Sequence, residues 1–136
     1  MLLAIDSSTQ TVGIALFDGA QVVGEIIWQT KNHHTVELAP AINELCKKCG
    51  VGFSEFRGIG VAAGPGSFTS LRIGYAIAKG LALSLHIPAI AVPTLEILVA
   101  AQPLRDIPLF AALHAGRNRY AIGKFTAQSK KWVPDD

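Results

Sequence analysis

The chain has 136 residues, 50% of them hydrophobic and only 16% charged, with a net charge of +2. That length supports one real core, burying roughly two-thirds of the unfolded surface. The small net charge excludes an extended nucleic-acid surface of its own, and the high apolar share points to surface hidden in a partner as well as in the core.

Leu2 to Asp6 reads as a buried strand, and Thr11 to Phe17 alternates as a second. Asp18-Gly19 is a hairpin signal, followed by a third strand over Gln21 to Thr30. Asp6 breaks the first apolar run and no basic segment precedes it, so no signal peptide is expected.

Val36, Ala39, Ile42, Leu45, Cys46 and Cys49 recur at helical spacing, which predicts a helix over Thr35 to Cys49 stopped by Gly50. Pro40 should kink this helix or set its first turn. Cys46-Lys47-Lys48-Cys49 closes the helix, and one such pair falls short of the four ligands of a structural zinc site. Reduced, structural cysteines are the expectation. His33 and His34 are adjacent, so on a helix they diverge by about 100° and do not converge on one metal. No metal site and no cofactor are expected. No Ser–His–Asp or Cys–His arrangement follows from the spacing.

A short turn at Ser54-Glu55-Phe56 leads to a fourth strand, Ile59 to Ala63. Then comes the most informative stretch, Gly64-Pro65-Gly66-Ser67-Phe68-Thr69-Ser70-Leu71-Arg72-Ile73-Gly74. Its glycines permit a tight passage from strand to helix. Ser67 or Thr69 is placed to cap that helix. Backbone donors gathered there suit an anion, although no Lys-Ser/Thr follows as in a Walker A loop. A plainly capped turn is the alternative.

The helix that follows, Phe68 to Leu85, is apolar almost all round, with Arg72 and Lys79 its only charges. A helix lying on a sheet should show a polar stripe. Gly74, Ala78 and Ala82 form a small-residue row open to close helix approach. With Leu71 and Tyr75, and with Leu38, Ala41 and Leu45 of the first helix, they make the expected partner interface. Cover by the third helix or the tail is the alternative. Ala89 to Val92 is a fifth strand, and Thr94 caps a third helix over Leu95 to Gln102. The uncharged run from Gly80 to Leu95 holds His86, Pro88 and Pro93, too broken to span a bilayer.

Pro103 to Pro108 reads as a boundary, dividing the chain into residues 1–105 and 106–136. Leu109 to Phe125 echoes the opening hairpin, with His114 where Asp6 stood, so a second, incomplete lobe is expected as a hairpin and tail. Arg117 and Arg119 fall in that hairpin without an assigned role.

The motif from Gly64 to Gly74 resembles the signature of the TsaB (YeaZ) family, and Leu3-Ala4-Ile5-Asp6-Ser7-Ser8-Thr9 matches that family's opening strand. Ser70 stands where the family usually has glycine. The resemblance covers residues 1 to about 125. It implies an α/β fold: a ribonuclease-H-like lobe of the actin, Hsp70 and sugar-kinase superfamily, ordered β-β-β-α-β-α-β-α around a mixed five-stranded sheet. It also implies a cytoplasmic, non-catalytic scaffold in threonylcarbamoyladenosine synthesis on tRNA. Such a subunit pairs with itself or with a TsaD-type catalytic subunit through its first two helices. A TsaE-type ATPase joins that complex, and tRNA is reached only indirectly. In the superfamily the first turn is a phosphate loop, for which Asp6, Ser8 and Thr9 are the candidates; an ordinary turn is the alternative. His114 opens the second loop where the family usually has aspartate, and an imidazole suits hydrated magnesium poorly. An independent ATPase or kinase is therefore the secondary expectation, and a truncated inactive fragment a third.

Overall fold

The computed structural model describes residues 1–135. Strands β1 (Leu2–Asp6), β2 (Thr11–Phe17) and β3 (Val22–Gln29) form the antiparallel meander the alternating pattern predicts. Asp18 sets the turn between β2 and β3: its carboxylate accepts the Ala20 and Gln21 amides at 2.7 and 2.8 Å. Helix α1 (His34–Cys49) ends on Gly50, whose φ of 65° lets its amide turn back to the last carbonyls. Pro40 lies in the second turn on the exposed side, and α1 runs through it as one element.

Strand β4 (Gly58–Ala62), helix α2 (Phe68–Leu85), strand β5 (Ala89–Val92) and helix α3 (Thr94–Ala100) complete the expected order. The sheet runs β3-β2-β1-β4-β5, with β4 parallel to both β1 and β5. It is the mixed five-stranded sheet that was expected.

Alternation decides what each sheet face holds. Leu3, Ile5, Val12, Ile14, Leu16, Ile59 and Val61 point to one side. There they form the core with Leu38, Ile42, Leu45 and Cys46 of α1 and with Ala78 and Ala82 of α2. The other side carries Ala4, Gly13, Ala15, Gly60 and Ala62, which floor an open apolar hollow of about 390 Å³.

A second sheet, β6 (Leu109–His114), β7 (Tyr120–Gln128) and β8 (Lys131–Pro134), is antiparallel throughout. The expected hairpin thus gains a third strand. Lys131 to Pro134 is too short to show a period, but it pairs with β7, and Lys124 holds Asp135 at 2.7 Å. Val99 of α3 is buried with Ala111 and Phe125 of this sheet, flanked by Leu95, Leu109 and Trp132. Helix α3 lies within residues 1–105 and touches both parts: Thr94 bonds Gly64, and Val99 packs on the second sheet.

Candidate functional site

The motif turn is built against the end of β1. Gly64 has φ of 97°, as a glycine turn requires, and the Gly64–Pro65 peptide is cis. Gly66 serves a different end: a Cβ there would run into the Ser8 carbonyl. That close approach lets the Ser67 amide donate to Ser8 O at 2.7 Å.

The expected caps take other work. Ser67 occupies the position before α2 but makes no side-chain cap. Its hydroxyl instead accepts from Ser70 Oγ at 3.0 Å. Thr94 lies inside α3, with Pro93 before it. The Thr94 hydroxyl accepts the Gly64 amide at 3.1 Å, and the Thr94 amide donates to Gly64 O at 2.9 Å. Both residues bond across the fold, to segments that no local pattern could place beside them.

His34 is buried at the same junction. Its Nε2 donates to Thr9 O at 3.1 Å, while Nδ1 stands 3.5 Å from Ser70 Oγ. Ser7 Oγ donates to Ser70 O at 2.9 Å. The turn after β1, the start of α1 and the start of α2 are thereby joined. Ser70, in place of the usual glycine, is a member of this network, and sequence reading gave His34 no such part.

Asp6 and Ser8 are bonded to each other, while the Thr9 side chain turns to the Thr11 backbone. Asp6 Oδ1 accepts the Ser8 amide at 2.9 Å and the Ser8 hydroxyl at 2.6 Å. Thr9 Oγ1 exchanges bonds with the Thr11 backbone. Ser8 is 1% exposed. These are the bonds of an ordinary polar turn. Across from it, Ser67, Phe68 and Thr69 face Ala115, Gly116, Arg117 and Arg119 over a cleft of about 300 Å³. His114 lies edge-on to Tyr120, ring centres 5.5 Å apart. Arg72 sits over the Phe68 ring at 5.3 Å. Among the described residues no group of three or more His, Cys, Asp or Glu side chains is placed to hold a metal.

Cys46 is buried, and that burial pushes its thiol up from the ordinary value, with Cys49 adding to the effect. Cys49 faces β3 at Gly24, where a Cβ would collide with its sulfur. Both are free and fill space, in keeping with the structural reading.

The expected interface residues divide in two. Leu38, Leu45, Gly74, Ala78 and Ala82 are buried in the chain's own core, and Ala41 and Leu71 are half-buried. The small row faces the sheet because β1 and β4 lie close beneath it: a Cβ on Gly74 would meet Ser7 Oγ. Of the named set only Tyr75 is exposed, at 37%. The next rows round α2 face outward. Tyr75, Lys79 and Leu83 form one, Ala76, Gly80 and Ser84 the next, and all six are exposed. A side chain at Gly80 would meet open space. From α1, Val36 adds an apolar residue at 69% exposure.

A family model described as TsaD, tRNA N6-adenosine threonylcarbamoyltransferase, matches residues 21–132. The TsaB protein of Bacillus subtilis is 46% identical over 99 residues, covering 73% of this chain and 43% of its own length. The TsaB protein of a Buchnera aphidicola strain from Acyrthosiphon pisum is 29% identical, over 98% of this chain and 61% of its own. The solved structure of YeaZ from Pseudomonas aeruginosa superposes with a TM-score of 0.90 at 28% identity, over 99% of this chain and 64% of that one. The chain belongs to the TsaB (YeaZ) family and carries its TsaD-like domain. It spans between 43% and 64% of the length of these relatives. The family fold accounts for the motif turn as the joint between the first strand turn and the two helix starts.

Proposed function

We propose that this chain is an accessory, non-catalytic subunit that binds a TsaD-type threonylcarbamoyltransferase through the outward faces of α1 and α2. The observation that carries this reading is the exposed row of Ala76 and Gly80, where α2 is bare enough for a second helix to lie against it. Its relatives carry TsaB names, and the turn residues of the superfamily's phosphate loop are spent on local bonds. On this reading the chain pairs with itself when alone and exchanges that pairing for the partner. A TsaE-type ATPase joins through the complex, tRNA is reached only through the partner, and the setting is cytoplasmic. No helix among the described residues is long and apolar enough to cross a membrane.

A charge at Ala78 would enter the core, so the variant that tests the interface is Gly80→Glu. Light scattering behind a sizing column should show a complex with the TsaD-type subunit for the parent chain. The Gly80→Glu chain should elute as a folded monomer that ignores the partner. Undiminished pairing by that variant removes the outward row from the interface.

A second reading keeps the chain as a nucleotide-binding enzyme that uses Asp6, Ser8 and Thr9. It is favoured by the cleft in which Arg117 and Arg119 face the start of α2. Calorimetry with magnesium–ATP tests it: binding lost in Asp6→Ala supports the enzyme, and absence of heat in the parent chain ends it.

A further inference from the structure

Strand β5 is the end strand of the first sheet. Pro88 O and Val92 O accept from the Ile59 and Ala63 amides on the β4 side. Ile90 shares their parity, so the N–H and C=O groups of Ala89 and Ala91 point the other way, to an open edge. Ala89, Ile90 and Ala91 are all exposed. In register Ala89 and Ala91 lie beside Ile59 and Val61, on the face that α2 covers. Their side chains are too small to fill the space below the flank of the helix. A groove of about 250 Å³ results, lined by Tyr75, Lys79, Leu83, Ile87, Ala89 and Ala91.

We propose that this edge and groove receive an extended segment of a partner protein, which adds to the sheet as a sixth strand. Only another extended backbone offers donors and acceptors at the spacing that Ala89 and Ala91 present. Alternate side chains of such a strand fall on one face. Those facing α2 are apolar and lie beneath Tyr75 and Leu83. Lys79 is the charged residue lining the groove, so the segment brings a carboxylate to it. A second copy fits less well: Leu85 to Pro93 holds no acidic residue, so β5 paired with β5 would bring Lys79 no partner. Pro88 and Pro93 bound the edge and restrict the added strand to a few residues, which guards against open-ended pairing. The groove lies under the Tyr75–Lys79–Leu83 row, next to the row of Ala76 and Gly80, and the β5 amides distinguish strand addition from the helix-mediated pairing.

The test is nuclear magnetic resonance of the isotope-labelled 136-residue chain, titrated with a blocked six-residue peptide alternating valine and threonine around one glutamate. The amides of Ala89 and Ala91 should shift and exchange more slowly. The same peptide N-methylated at its inward-facing positions should have no effect. Lys79→Glu, an exposed change that leaves the core alone, should weaken the glutamate peptide about three- to tenfold and favour its lysine counterpart. Unmoved Ala89 and Ala91 amides at millimolar peptide overturn the proposal, as does equal binding by the N-methylated peptide. Concentration-dependent self-association through β5 that excludes the peptide also overturns it, in favour of a second copy.

Discussion

A methyl group at position 66 would meet the Ser8 carbonyl, in a place where backbone presses on backbone. Gly66→Ala should therefore destabilise the chain by about 1–3 kcal/mol, the usual cost of forcing extra volume into a packed site. A urea unfolding curve with an unchanged midpoint would show that the turn can move aside. Gly64 was legible in the sequence because a tight Gly-Pro-Gly turn needs positive φ. Gly66 was not, since its constraint comes from Ser8, far away in the chain. Ser67 and Thr94 teach the same lesson. A serine or threonine before a helix reads as a cap, yet here the Thr94 hydroxyl accepts from Gly64 and the Ser67 amide donates to Ser8, both in other segments.

At the level of elements, α2 shows how far composition reaches. Its apolar character all round was plain, and it pointed to contacts on more than one side. Which row faces inward was not plain, because no polar stripe marked the outside. The small residues went to the sheet, where the distance to β1 and β4 is least, and so left the expected interface. Helix α1 was more legible, since Glu44, Lys47 and Lys48 mark its wet side. It is also anchored by charge. The Trp28 indole donates to Glu37 Oε2 at 3.0 Å. This bond, with lesser help from Thr30 and the nearby His33 and His34, holds the Glu37 carboxyl below its ordinary value of 4.5. A carboxylate whose folded value is depressed stabilises the fold above the unfolded value, and the contribution is lost as pH falls through the folded one. Melting temperature should therefore decline below about pH 4.5, and Glu37→Gln should flatten that decline. Parallel curves for the two chains would show that other carboxylates, Asp18 and Asp135 among them, carry the acid response.

Over the whole molecule the two sheets are unequally supported. The first is backed by α1 and α2 over a continuous core, while among the described residues the second buries Ala111, Leu113 and Phe125, with Val99 of α3 against it. Amide exchange should begin in β6, β7 and β8 and reach β1, β2 and β4 last. Uniform protection across both sheets would show that α3 couples them into one cooperative unit. The order of elements was readable from the periods and stops of the strands and helices, and the five-stranded sheet they form was implied by the family resemblance. The third strand of the second sheet was not readable: Lys131 to Pro134 is too short to show a period, and it is fixed by its ladder with β7 and by the bonds of Asp135 to Lys124 and Thr126.

The junction of Ser8, His34, Gly64, Ser67, Ser70 and Thr94 also has a bearing on the order of folding. Its bonds join segments separated by 25 to 63 positions, such as His34 with Thr9 and Ser70 with Ser7. Closing such long loops costs entropy before any bond is gained. Local hairpins and helices can form first, leaving this knot of contacts to close after the rate-limiting barrier has been crossed. Lesions there, Gly66→Ala included, would then leave the rate of folding nearly unchanged and shorten the lifetime of the finished structure. The residues that make the family motif recognisable would, in that case, govern how long the folded chain lasts more than how it is reached.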